Sequence, residues 1–321
     1  MANNEFENLQ KLIPILLSQE HPALEVVLVD DRSYDETYET FLALSKTEPR
    51  LKFLRVDDTP ETSSAKKFAL TLAIKAAKYD QLLFTDADCI PATGRWASVM
   101  TRPFIDKSEI VIGVSPYEFQ NTFLNRIIQF ETGITAINYL SFAIAQLPYM
   151  SVGRNWAYRK HLFLETKGFH PHNKVKGGDD DLFLQKIANS QNTIVSLDVD
   201  SYVISQPKTN FQDWFRQKER HYSVGKFYTI KSKILLGLFH SAHILSYILF
   251  FVMLFSQEFR LYSSVLFLFR LLFFWILATK LFNKLATKVE WYLVPMFELI
   301  YSLVVITFGL WGLVARKIKW K

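Results

Sequence analysis

The spacing of hydrophobic positions changes near residue 231. Before it, short apolar runs rich in β-branched residues alternate with longer stretches of helical period. Residues 24–29 (L-E-V-V-L-V), 51–56, 81–85 (Q-L-L-F-T) and 109–114 read as strands. Residues 33–45, with Ser33 as N-cap, and 64–79, with Phe68, Leu72 and Ala76 on one stripe, read as helices. This β-α-β-α-β order predicts a largely parallel sheet with right-handed crossovers. Ligands then belong at the carboxyl ends of the strands. A long helix over residues 123–147 is apolar around much of its circumference, so it is either core or membrane interface, and the interface is the favoured reading.

After residue 231 the polar faces nearly vanish. Residues 235–255, 261–282 and 292–315 each approach the ~20 apolar residues that a ~30 Å hydrocarbon core requires. Few ionisable groups interrupt them: His240 and His243 in the first, Arg270 and Lys280 in the second, Glu298 in the third. Arg270 and Glu298 are expected to pair, since an ionisable group in lipid needs a partner. Trp291, Tyr292, Trp311 and Trp320 flank the third segment as an aromatic belt would. The competing reading is a set of buried helices in an all-helical domain. Lys226, Lys231 and Lys233 before the first span, and Lys280, Lys284 and Lys288 around the second loop, place both segments in the cytoplasm. Three spans then leave the basic tail Arg316, Lys317, Lys319 and Lys321 outside, against that bias, unless one segment is re-entrant or interfacial.

Composition narrows the class. Of 321 residues half are apolar, 28 are Phe and 21% are charged, which excludes a disordered chain. The single cysteine, Cys89, excludes a disulfide framework and suits a reducing compartment.

Three acidic clusters carry the candidate chemistry. Asp30-Asp31 closes the first strand, Asp86-Ala87-Asp88 the third, and Gly177-Gly178-Asp179-Asp180-Asp181 opens a helix over residues 182–188. Singly, each has a structural reading as a turn residue or a helix N-terminal acid. Asp86 and Asp88 are the exception, because two carboxylates two residues apart repel unless a cation such as Mg²⁺ or Mn²⁺ joins them. There is no Gly-x-Gly-x-x-Gly or Walker loop, which weighs against oxidoreductase and P-loop readings. His170 and His172 read as loop residues.

Taken in order, V-V-L-V-D-D-R-S at 26–33, F-T-D-A-D at 84–88, G-G-D-D-D-L-F at 177–183 and Q-K-E-R-H at 217–221 resemble glycosyltransferase family 2. The resemblance spans roughly residues 2–231. It implies an α/β GT-A nucleotide-sugar domain over 1–231, Rossmann-like with a mostly parallel sheet, followed by a membrane domain with transmembrane helices over 232–321. It further implies a metal-dependent inverting transfer from a nucleotide-sugar donor to a lipid or lipid-linked glycan. The expected setting is the cytoplasmic face of the bacterial inner membrane, in cell-envelope glycan synthesis, with no nucleic acid partner. By the same resemblance Asp30 and Asp31 contact the base and ribose, and Asp86 and Asp88 hold Mg²⁺ or Mn²⁺ on the diphosphate. Asp179 is the catalytic base, with Asp180 and Asp181 as neighbours competing for that role. Gln217 and Arg220 lie near the diphosphate and acceptor, Lys66 near the phosphates. Arg154 and Asn155 of G-R-N-W resemble the family's acceptor element. His221 stands where the family has Trp, a departure that bears on acceptor stacking. Processive polysaccharide synthesis and donor binding without turnover are the alternatives.

Ala2 to Glu5 resemble the loop that follows the family's first strand, so that strand is expected to be absent, leaving ladder groups of its neighbours exposed. Poor stability is the expected consequence.

Overall fold

The computed structural model describes residues 1–105 and 108–314; the basic tail, Trp320 and the last residue of the expected third span lie outside them. The chain folds as two compact units. The first comprises Met1–Glu118 and Asn138–Gln206; the second comprises Phe119–Ile137 and the chain from Pro207 onward.

The first unit holds α1 (Phe6–Leu17), β1 (Val26–Asp31), α2 (Thr37–Thr47), β2 (Leu51–Val56), α3 (Ala65–Ala76), β3 (Gln81–Phe84), β4 (Cys89–Pro91), α4 (Trp96–Thr101) and β5 (Ile110–Ile112). The long helix α5 (Phe123–Ile144) runs through both units, and β6 (Trp156–Arg159), α6 (Lys160–Glu165), α7 (Asp181–Ile187), β7 (Thr193–Val195) and β8 (Val203–Ser205) complete the first. The strands expected from apolar spacing all form, within a few residues at their ends. Ser33 does not cap the next helix. Its Oγ accepts from the Asn4 N–H at 2.9 Å, and α2 starts four residues later, after Glu36.

The sheet is mixed rather than largely parallel. β1 pairs with β2 in parallel, as the crossover order requires, but β6 returns antiparallel between β3 and β5, while β7 lies parallel to β5. β4 and β8 form a separate antiparallel pair. Sequence spacing misses these pairings because β6, β7 and β8 are only three or four residues long. β1 and β3 are both edge strands, each paired on one side. Both line one apolar cavity of about 480 Å³, with Leu9 and Ile13 of α1, Ile74 of α3 and Trp96 of α4 among its other walls. At its end Ala2 donates its N–H to Val29 O and accepts from Asp31 N–H, both at 2.8 Å, a single parallel bridge on the free edge of β1. The sheet is thus interrupted between β1 and β3.

The second unit begins with α5, continues through α8 (Phe211–Val224), and ends with α9 (Ile230–Met253), α10 (Arg260–Lys284) and α11 (Val294–Val314). These last three helices are long and apolar enough to cross a membrane. α5 is core: Leu124, Ile127, Ile128, Phe130 and Ile134 are all buried. Phe130 meets Phe282, Phe297 and Tyr301. Gly133 is needed there, because a Cβ would fall 2.6 Å from the Phe282 ring. The expected pair of Arg270 with Glu298 forms, with Glu298 fully buried and Arg270 also donating to His243 Nδ1 at 2.8 Å. Lys218 pairs with Glu131, and Arg126 with Glu290 at 2.7 Å.

Candidate active site

At the carboxyl end of β3 the chain leaves the sheet through Asp86-Ala87-Asp88. Oxygens of Asp86 and Asp88 and the sulfur of Cys89 lie within 4.8 Å of one another. Cys89 is a poor ligand in this trio. Burial pushes its thiol well above the usual range, and the Sγ–H points to Asp88 Oδ1 at 3.4 Å. The hard oxygens of the two aspartates are therefore the donors that suit Mg²⁺ or Mn²⁺.

Asp179 reaches the same place from the other end of the unit. Gly177 and Gly178 take φ of 90° and 69°, left-handed values that favour glycine, and this turn delivers Asp179 and Asp180 just before α7. Lys66, in the first turn of α3, joins the clusters: its Nζ is 2.9 Å from Asp179 Oδ2 and 3.5 Å from Asp86 Oδ1. Enclosure opposes its charge, but the carboxylates of Asp179, Asp86 and Asp180 hold it above the ordinary lysine value. Enclosure likewise works to raise Asp86, yet Lys66 and then Arg154 keep its carboxyl below its ordinary range. Lys66, Asp86 and Asp179 line a recess of about 20 Å³ with Gly153, Trp156 and Tyr158, room for one small ion or water. Beneath it Phe84 stacks on Tyr158 with ring centres 4.9 Å apart, and Tyr158 meets Phe183 of α7 edge-on.

Asp180 is occupied locally. Its Oδ1 caps α7 by accepting from Asp181 N–H at 2.8 Å, and its Oδ2 accepts from Gly153 N–H at 2.7 Å. Gly153 lies so close that a Cβ there would stand 3.0 Å from Oδ2. Enclosure, and then the charge of Asp179, raise the Asp180 carboxyl to about 6. Asp181 begins α7 beside it.

The remaining expected residues divide by their surroundings. Asp30 is fully buried, accepts from Ser33 N–H at 3.2 Å and faces Arg55 at 3.8 Å, so it braces the turn after β1. Asp31 pairs with its neighbour Arg32 at 2.9 Å. Arg154 donates to Ser115 Oγ at 2.7 Å and to Ser115 O at 3.1 Å, and lies over the Tyr117 ring. Asn155 is buried and spends its whole amide inside the protein. It donates to Val114 O and Ser201 O at 2.7 and 2.8 Å and accepts from Trp96 Nε1 at 3.0 Å. Gln217, Arg220 and His221 all lie on α8, in the second unit.

Sequence reasoning missed Lys67. Only 1% exposed, it donates to His172 O at 2.8 Å and Val175 O at 2.9 Å, anchoring the loop that leads to Asp179. The signal was its place one helical face away from Lys66, three residues before Leu70 and seven before the buried Ile74.

Comparison with known proteins identifies the family and the fold. The family model described as glycosyl transferase family 2 matches residues 2–166, a little over half of the chain. The mannosyltransferase PcManGT from Pyrobaculum calidifontis, solved with GDP-Man and Mn²⁺, is 18% identical, with a TM-score of 0.59 over 97% of this chain and 85% of its own. S. aureus TarS 1–349 is also 18% identical, over 100% of this chain and 91% of its own, with a TM-score of 0.49. No curated protein matches.

Proposed function

Because the chain belongs to glycosyltransferase family 2 and carries its GT-A fold, we propose that it transfers a sugar from a nucleotide-sugar donor to a lipid or lipid-linked glycan. Transfer inverts the anomeric carbon and takes place at the cytoplasmic face of a membrane. The observation that supports this most is the convergence of Asp86 and Asp179 on Lys66, with Asp88 alongside Asp86, at the carboxyl end of β3. Carboxylates from two distant segments meet where an open α/β sheet binds ligands. PcManGT, with its GDP-Man and Mn²⁺, supports a nucleotide-sugar donor and a divalent cation here. The three apolar helices α9, α10 and α11 support a membrane setting.

Residue roles follow from the surroundings. Asp179 accepts the proton of the acceptor hydroxyl as that oxygen attacks the anomeric carbon, a role that needs an acceptor oxygen within ~2.6–3.2 Å of its carboxylate. Asp181 stands two residues on, the second carboxylate at this helix start. Asp86 and Asp88 would hold Mg²⁺ or Mn²⁺, which supplies charge neutralisation for the departing diphosphate when bound. Asp31 faces the nucleoside with Asp30 bracing it from the turn. Lys66 serves the phosphates. Arg154, Gln217, Arg220 and His221 serve the diphosphate and acceptor, and Asn155 positions the G-R-N-W segment rather than touching substrate.

The test is donor consumption. Membranes carrying the full chain, incubated with a panel of labelled UDP- and GDP-sugars and Mn²⁺ or Mg²⁺, are expected to consume one donor and label a lipid-extractable product. Asp88→Asn is expected to abolish the metal-dependent part. Donor consumption that survives both Asp88→Asn and chelation would overturn the metal assignment. No consumption of any donor would overturn the activity.

A further inference from the structure

Lys66 occupies an unusual position for a residue that serves a bound donor. Its ammonium already stands between the two acidic segments, 2.9 Å from Asp179 Oδ2 and 3.5 Å from Asp86 Oδ1. The recess these three residues line measures only about 20 Å³. Asp86 is at once half of the Asp86/Asp88 oxygen pair and a partner of this ammonium. A cation on that pair and the ammonium beside Asp86 are like charges contending for one carboxylate, and like charges at this separation repel strongly in a partly enclosed site.

Resting on the metal reading above, we propose that Lys66 is a resident counter-ion that a divalent cation must displace. With no metal bound, Lys66 neutralises Asp86 and Asp179 and holds the two clusters together. When a cation binds Asp86 and Asp88, the ammonium leaves Asp86 and becomes available to the donor's diphosphate. The side chain is suited to such a change, being one-third exposed and carried on a flexible stem in the first turn of α3. Its neighbour Lys67 is fixed, being buried and held by two backbone carbonyls. One lysine therefore anchors the loop while the next one moves. Lys66 thus makes metal binding weaker alone and stronger with nucleotide.

The experiment measures Mn²⁺ binding to the purified full chain in detergent, by loss of the free-ion electron paramagnetic resonance signal, first with MnCl₂ alone and then with saturating UDP and GDP. Lys66→Met and Lys66→Gln are expected to bind Mn²⁺ alone roughly tenfold more tightly than wild type. Lys66→Arg, which keeps the charge, is expected to stay near wild type. With the nucleoside diphosphate that supports binding, the order reverses and the neutral variants become the weaker binders. Equal or weaker binding of Mn²⁺ alone by both neutral variants would overturn the proposal. Asp88→Asn separates the two layers. If it abolishes wild-type binding while the neutral Lys66 variants match wild type, only the counter-ion inference fails. If no protein binds Mn²⁺, or if binding survives Asp88→Asn, the metal reading fails and takes this inference with it.

Discussion

In the second unit, enclosed charges come in matched pairs: Arg270 with Glu298, Lys218 with Glu131, Arg126 with Glu290. At the carboxyl end of β3 in the first unit the balance is different. Asp86 and Asp179 share the ammonium of Lys66, Asp180 lies within its field, and Asp88 stands beside Asp86, with Arg154 and then the amino terminus the next cations acting on Asp86. A matched pair balances its own charge, and Arg270–Glu298 and Lys218–Glu131 each join one helix to another. A cluster whose carboxylates outnumber their ion-pair partners gains from any cation supplied to it, which is what the proposed metal site requires. Burial alone does not separate the two cases, since Glu298 is more deeply buried than Asp86. Stoichiometry of charge does.

The sharpest way to break this contrast is to remove one carboxylate from each side and compare what is lost. Asp179→Asn keeps the shape of the site and deletes the proposed proton acceptor. Turnover is expected to fall by about 10²–10⁴-fold, while the melting temperature falls little, because Lys66 loses one partner but keeps Asp86 and is one-third exposed. Single-turnover donor consumption checks the first and thermal unfolding in detergent the second. Glu298→Ala should do the reverse. It leaves Arg270 uncompensated among apolar helices, which costs about 3–5 kcal/mol, seen as a large drop in unfolding midpoint. Arg270→Met combined with Glu298→Leu is expected to recover most of that loss, since a matched pair is replaceable by apolar packing.

Much of this contrast is legible in the sequence, but unevenly. The Arg270–Glu298 pair is readable because an ionisable residue in a 20-residue apolar run has few places to go. The acidic clusters are readable because each follows an apolar strand or a glycine turn. What stays hidden are contacts made by residues of ordinary appearance. Lys67 reads as one more helix lysine until the structure shows it under the His172–Val175 loop. Asn155 reads as an acceptor residue until all three of its amide hydrogen bonds prove internal. The antiparallel insertion of β6 is hidden for a related reason. Residues 156–159 are too short and too aromatic to declare a direction, and only pairing with β3 and β5 sets it.

Lys67 sharpens the comparison from between its two poles, because its charge is answered by carbonyls instead of an acid. Burial lowers its ammonium to about 8, with Asp179 and Asp180 offsetting part of that. Lys67→Met removes the charge but leaves the carbonyls of His172 and Val175 without this donor, a change worth about 1–3 kcal/mol. The expected reading is a moderate loss of stability with faster hydrogen exchange over residues 172–176, and wild-type exchange in α9, α10 and α11.

The smallest expected effect tests whether Asp180 belongs with the surplus or with the matched pairs. Its carboxyl rises from an ordinary 3.8 to about 6, through enclosure first and the negative charge of Asp179 second. Between those values the folded protein holds a proton that the unfolded chain has released. The contribution of Asp180 to stability is therefore fully present below pH ~4 and is lost as pH rises through ~6, by at most about 1.4 kcal/mol per pH unit. Asn at this position does not titrate, so Asp180→Asn removes that slope while keeping an oxygen able to accept from Asp181 N–H. Unfolding midpoints at pH 4.5 and 6.5 are expected to show the stability of wild type relative to Asp180→Asn falling as pH increases. If the difference instead grows with pH, Lys66 and the Gly153 N–H stabilise the Asp180 anion more than its neighbours repel it. Asp180 would then stand with Glu298 as a compensated charge, and the surplus at the site would shrink to the three carboxylates of Asp86, Asp88 and Asp179.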